Sequence, residues 1–284
     1  MCLKKYCLIL IQKCIAHDGV WAWISGTLVR LSMAFQYHRN VELSKRSFNS
    51  FVLPLISRIC LDLRVRNGPF EGMIYPSTTS VGSTLFPKLL GSYERELHSL
   101  IEALCTRSYN LIIDIGCAEG YYAVGMAYRL KNAQVLAYDI EPDARDLCAK
   151  MATLNHVADR ITIKPECPPS ELISLNLPER CLIICDCEGY EVSLFTPEVV
   201  NKMANHDLLI EVHDCLDIET SAIIRQRFEA THDITVIQSV DDIQKPYHKN
   251  YAYPELASYN AASRHILLGE CRPSIMEWFF MTPK

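Results

Sequence analysis

The run Leu111-Ile-Ile-Asp114-Ile-Gly116-Cys-Ala-Glu-Gly120 carries the strongest architectural signal in the chain. A short apolar, β-branched-rich stretch breaks into a glycine-bounded turn, and a helix-compatible segment follows from Tyr121 to Leu130. This order reads as a buried strand, a tight loop and a helix start, the nucleotide-binding corner of an α/β sheet. The glycines are spaced Gly116-x-x-x-Gly120, with none where Gly-x-Gly-x-x-Gly needs it for a pyrophosphate to approach the helix terminus. Asp114 near the strand end and Asp139 ending the next run, Val135-Leu-Ala-Tyr-Asp139, suit a ligand with an ammonium group and a ribose diol instead.

Asp114-Ile-Gly116-Cys-Ala-Glu-Gly120 resembles motif I of class I S-adenosylmethionine (SAM) dependent methyltransferases. Further on, Asp186-Cys-Glu188-Gly189-Tyr-Glu191 is similar to the Asp-x-Glu-Gly-x-Glu signature of the FkbM-type branch. The resemblance spans roughly Leu90 to Leu268. It implies a Rossmann-like seven-stranded sheet with helices on both faces and an antiparallel final strand.

Working outward, 284 residues with 49% hydrophobic and 21% charged side chains can bury one large core. The expected division is an N-terminal helical and hairpin extension, 1–105, followed by a SAM-binding domain, 106–284. The net charge of −5, without a long Lys/Arg cluster, argues against a nucleic-acid partner. Thirteen cysteines occur without a Cys-x-x-Cys, most of them inside apolar runs, as expected of free thiols in a reducing cytoplasm. Cys185 and Cys187 are expected on one strand face, too constrained to bridge. The N-terminal apolar run is too short and too interrupted for a signal peptide or a membrane span, so no stable membrane insertion is expected.

Residues 1–58 look helical, with Trp21, Trp23, Ile24, Leu28, Leu31 and Phe35 suited to packing on the catalytic domain or on a second subunit, so a homodimer is allowed. Period-two alternation in Leu61–Arg66, a turn at Asn67-Gly68-Pro69 and then Met73-Ile-Tyr75 predict a β-hairpin, and Glu94–Leu104 predicts a helix. After motif I, apolar runs and helix-compatible segments alternate at the βαβ rhythm. Strands are predicted at 134–139, 161–163, 181–185, 207–212, 233–238 and 264–268. Pro142 opens one of the intervening helices and Ser170 caps another.

Ligands in open α/β sheets bind beyond the carboxyl ends of the strands, so the polar residues ending these runs share one rim. Gly116 and Gly120 let the backbone approach the methionine part of SAM, Asp114 fixes its ammonium, and Asp139 accepts both ribose hydroxyls. Cys167 lies after the third strand, near the adenine. The resemblance adds, as cofactor-binding, Tyr93 and Glu94 over the cofactor mouth, Cys117 and Tyr121 in and after the glycine loop, Ile140 after Asp139, and Asp186 at the end of the fourth strand.

Where the acceptor meets the sulfonium, Asp186, Glu188, Glu211 and His213 converge, because adjacent strands run ~4.8 Å apart. His213 is the first candidate base, then Asp186 and Glu188. Glu191 is assigned only a favourable charge in a helix's first turn. Asp186, Glu188, Glu211 and Asp214 also permit a hard divalent cation, which is not favoured. The resemblance implies O-methylation of a hydroxyl on a small molecule or glycan; the alternatives are a non-catalytic SAM-fold binding protein and an NAD-linked oxidoreductase. The segment 241–263 is open to use as a lid, an acceptor pocket or a dimer contact.

Overall fold

The computed structural model describes residues 52–60 and 62–284. The helical stripe expected before residue 52 lies outside them. A first short helix, α1 (Leu53–Ile59), precedes α2 (Leu85–Leu90) and α3 (His98–Leu104). The sheet then begins with β1 (Leu111–Ile115), α4 (Tyr121–Arg129), β2 (Gln134–Tyr138), α5 (Pro142–Leu154), β3 (Ile161–Lys164), α6 (Pro169–Ser174) and β4 (Cys181–Cys185). It continues through α7 (Glu191–Leu194), α8 (Pro197–Met203), β5 (Asp207–Val212), α9 (Thr220–Phe228), β6 (His232–Gln238), α10 (Ala261–Leu268) and β7 (Glu277–Pro283).

Strand order is β3-β2-β1-β4-β5-β7-β6, with β1 to β5 parallel and β7 antiparallel to both of its neighbours. This is the Rossmann-like seven-stranded α/β sheet with an antiparallel last strand that the resemblance implied. The central strands are covered on both faces, which is why they read as continuous apolar runs: all five residues of β4 are buried, as are the last four of β1. Ile113, Ile183, Leu208 and Ile210 meet Leu194, Phe195 and Phe228 in a core beneath one face.

The order reverses between β1 and β4, and that switch point positions the site. Ile115 stands in register with Tyr138 and Cys185, and Cys185 with Ile210. Gly116, Asp139, Asp186 and Glu211 are therefore each the next residue at one edge of the sheet. Leu55–Lys284 forms one compact unit, which includes residues 62–105 together with the sheet.

Four sequence expectations change. Residues 264–268 are not the last strand but the end of α10, whose start is capped by Asn260 accepting the Ser263 N–H at 2.9 Å. The last strand is β7, Glu277-Trp-Phe-Phe-Met-Thr-Pro283. A five-residue stretch ending in Ile266-Leu-Leu268 does not distinguish helix from buried strand, and the cap settles it here. The hairpin is reduced to one antiparallel bridge, Arg64 with Ile74, closed by the Val65 N–H to Met73 carbonyl bond of 2.8 Å. Glu94 takes a left-handed conformation (φ 47°), so the helix expected from it begins as a 3-10 turn, Arg95–Leu97, before α3. Ser170 is not a cap either: Pro168 occupies that position and offers no side-chain bond.

Candidate active site

The strand ends enclose a crevice of about 610 Å³. In its cofactor half, Asp114 is 3% exposed, and burial, followed by the Asp139 and Glu94 charges, pushes its carboxyl up to about 7. Its Oδ2 has no hydrogen-bond partner, an orphaned oxygen that the ammonium of SAM would satisfy.

Gly116 (φ 85°) does more than open space for a ligand. A Cβ there would stand 1.7 Å from the Asp186 carbonyl oxygen, so the glycine is required by the close approach of the β1 and β4 loops. The Gly116 and Cys117 N–H groups both donate to the Tyr138 carbonyl, at 2.8 and 2.9 Å. Gly120 (φ 103°) leaves room for the Cys148 thiol, 3.0 Å from where its Cβ would be.

Asp139 is already engaged. Its Oδ2 accepts the Ala118 N–H and its Oδ1 the Glu141 N–H, each at 2.8 Å, tying the glycine loop to the end of β2. Any ligand hydroxyl at Asp139 would share these oxygens through their remaining lone pairs rather than claim the whole carboxylate. Cys117, Tyr121, Ile140 and Cys167 line the crevice with Asp114, Gly116 and Asp139, whereas Gly120 and Glu94 do not. Glu94 stands one layer back: its Oε1 is 2.7 Å from Arg272 Nη2, and its Oε2 accepts the Tyr122 hydroxyl proton. Of the two residues expected over the mouth, Tyr93 lines the crevice, where it meets Tyr121 edge-on at 5.0 Å, and Glu94 does not.

Two further anchors had no sequence signal. Glu119, fully buried, accepts the Val81 N–H at 3.0 Å and the Ser80 hydroxyl at 3.1 Å and is ion-paired with buried Lys88. This straps the segment Val81-Gly-Ser83 along the crevice wall. Arg272, near the start of the final strand's approach, binds Glu94, Glu270 (Nε to Oε2, 2.9 Å) and Glu211.

In the acceptor half, His213 Nδ1 is 2.7 Å from Glu191 Oε1. Its Nε2 faces Asp186 Oδ1 at 3.5 Å, Glu188 Oε2 at 3.6 Å and Glu211 Oε2 at 3.7 Å. Burial alone would depress the imidazole; the Glu191 hydrogen bond and charge, then Asp186 and Glu211, overcome it and raise the group to about 9. That direction favours the protonated imidazole near neutrality. Burial, with Glu94 and Glu188 adding like charge against the attraction of His213, raises Asp186 to about 7; burial and Asp186 raise Glu211 to about 8. Glu191 is buried and tied to His213 as well as to the Gly189 N–H at 3.1 Å, a role beyond a helical first turn.

Asp186, Glu211 and His213 each offer a ligand atom within 4.8 Å of the others, the one such group among the described residues. The set expected from sequence differs, because the Asp214 carboxylate is taken by the Ser221 N–H at 2.7 Å and hydroxyl at 2.6 Å, and Glu188 swings to the rim. Cys187 lies past the end of β4, and its sulfur is 3.5 Å from that of Cys185, in contact but unbonded. His232 is committed structurally, to the His206 carbonyl and the Thr231 hydroxyl.

Neither a protein-family model nor a curated protein matches the chain. Among solved structures, the C-terminal domain of precorrin-6Y C5,15-methyltransferase from Rhodobacter capsulatus is 14% identical with a TM-score of 0.45, over 68% of this chain and 89% of that one. A putative O-methyltransferase from Klebsiella pneumoniae is 14% identical with a TM-score of 0.44, over 67% and 79% respectively. A putative rRNA-methylase from Clostridium thermocellum is 12% identical with a TM-score of 0.44, over 66% and 97%. These are likenesses of fold, and the assignment of the site rests on this chain's own geometry. No helix among the described residues is long and apolar enough to cross a membrane.

Proposed function

We propose that the chain is a SAM-dependent methyltransferase of the FkbM type that methylates a hydroxyl on a small molecule or glycan. The supporting observation is the orphaned Asp114 Oδ2, buried at the edge of β1 and facing a crevice whose other strand ends supply Asp139 and Asp186. Asp114 would hold the ammonium of the cofactor, Asp139 its ribose, and Tyr121, Ile140 and Cys167 the surrounding walls. Bound there, SAM supplies a methyl group already activated by its sulfonium, so the protein's task is alignment and removal of one proton.

Asp186 is the group for that proton. A carboxyl raised to about 7 is available as a base near neutrality, whereas His213 already carries its proton. His213, fixed by Glu191, keeps positive charge beside the acceptor site and holds Asp186 toward it. Arg272 balances Glu211 and closes the wall behind.

Calorimetric titration tests the cofactor. SAM is expected to bind, Asp114→Asn to bind it about tenfold more weakly or worse, as loss of a charge-assisted bond implies, and NAD not at all. Heat with NAD and none with SAM overturns the proposal. Transfer of label from methyl-tritiated SAM to an acceptor then separates an enzyme from a protein that only holds the cofactor.

A further inference from the structure

We propose that the acceptor carries its hydroxyl on a hydrocarbon body, aliphatic or aromatic, and that Tyr190 and Leu216 at the crevice mouth select it over a polyhydroxylated one. This rests on the methyl-transfer proposal and decides between the two acceptor classes named there, against the glycan. In the acceptor half, the loops after β4 and β5 and the approach to β7 bring Tyr190, Leu216, Pro273 and Met276 to the wall. Leu216 is 63% exposed and Tyr190 42%. A Cβ on Gly189 would stand 3.0 Å from Leu216 Cδ1, so the two loops pack closely there and place their apolar side chains side by side. Scattered exposed apolar residues are ordinary, whereas neighbouring ones at the mouth of a cleft mark a surface that a ligand covers.

The polar groups of the same wall are already matched within the chain. Asp186 and Glu188 face His213 Nε2 at 3.5 and 3.6 Å, Glu211 is bound by Arg272, and Glu270 by Arg272 and by Lys245 at 2.6 Å. Among the described residues, no asparagine, glutamine or threonine lines the crevice, and Ser83 is its one serine. A second cavity of about 240 Å³ shares Cys215 and Met276 with the crevice and adds Val212 and Ile275. Its polar members are matched too: Gln238 Nε2 donates to Glu277 Oε1 at 2.9 Å, and Asp214 accepts from Ser221 at 2.6 Å.

One hydroxyl is needed at the floor, where the methyl group is transferred. Every further hydroxyl of a glycan would leave water to lie against Tyr190, Leu216, Pro273 or Met276 without a partner, which is unfavourable. Hydrocarbon in the same place gains about fourfold in affinity for each methylene removed from water. The neighbouring cavity gives such a body room to extend.

The full chain, saturated with S-adenosylhomocysteine at neutral pH, is titrated with three six-membered rings, phenol, cyclohexanol and myo-inositol, and then with the 4-propyl and 4-butyl forms of the first two, followed by ligand-observed NMR. The alkylated rings are expected to bind saturably, tightening up to about fourfold per methylene, and inositol is not. The tighter of 4-butylphenol and 4-butylcyclohexanol tells an aromatic from an aliphatic source. Leu216→Asn, at an exposed position, is expected to weaken both about tenfold, and Ile243→Asn, 70% exposed and outside the crevice, to leave them unchanged. Inositol binding as tightly, no gain along the series, an ineffective Leu216→Asn, or an equal loss in Ile243→Asn would each overturn the inference. So would a dimer in sedimentation that Leu216→Asn dissociates while no alcohol binds, since a second copy would then cover the mouth. The initial titration with S-adenosylhomocysteine separates the two levels. If it binds and neither alcohol does, the acceptor class alone falls; if it does not bind, the methyl-transfer proposal falls and this inference with it.

Discussion

Glu191 and His213 form a closed pair: Oε1 of the first lies 2.7 Å from Nδ1 of the second, both side chains are buried, and Nε2 is thereby aimed at Asp186. The pair joins the start of α7 to the residue after β5. It fixes both the orientation and the protonation of the imidazole.

The pair makes stability depend on pH. His213 is raised from an ordinary 6.5 to about 9, so its contribution is complete below the lower value and is lost as pH rises through the higher one. Glu191→Gln should flatten the wild-type decline in melting temperature between these values and return the imidazole resonances to an ordinary titration. An imidazole that titrates near 6.5 in the wild type would refute this.

Asp186→Asn should lower kcat by about 10²–10⁴-fold, the usual contribution of a positioned base, with SAM affinity changed far less. In the wild type kcat should rise with pH through about 7, as the carboxyl loses its proton. Retained turnover in the variant would remove Asp186 from this role.

Asp114 carries the opposite pH signature to a salt-bridged acid. Its folded-state carboxyl is raised from 3.8 to about 7, so the ligand-free protein binds the extra proton and loses stability from this group as pH climbs between those values. Asp114→Asn should remove that slope while weakening SAM. Gly116→Val, in contrast, should lower the melting temperature outright, since its Cβ would overlap the Asp186 carbonyl. Denaturation curves with and without SAM distinguish the two.

Lys88 and Glu119 are both buried, so removing either partner strands a charge. Lys88→Met should cost about 3–5 kcal/mol, and the double variant with Glu119→Gln should recover much of it. Urea denaturation of the single and double variants measures the difference.

The strands were legible because buried parallel strands are written as uninterrupted apolar runs, and the acids that line the crevice because Asp114 and Asp139 stand at the ends of those runs. Elsewhere the signal was too short or too far off. Arg264–Leu268 looks the same as helix or strand until the Asn260 cap is seen. Arg272 sits in a run without periodicity, and its partners lie 178 and 61 residues away. Glu119 passes for loop filler, although it anchors a segment nearly forty residues before it in sequence.

Arg272 also says something about the order in which the molecule comes together. One guanidinium gathers carboxylates from before the sheet, from β5 and from beside itself, and contacts of such separation form only after the intervening chain has paid its loop-closure entropy. A nascent chain that stops short of Arg272 would have the floor for the nucleoside but a wall of mutually repelling acids. Competence to accept a substrate should therefore be acquired last, when the C-terminal strand docks.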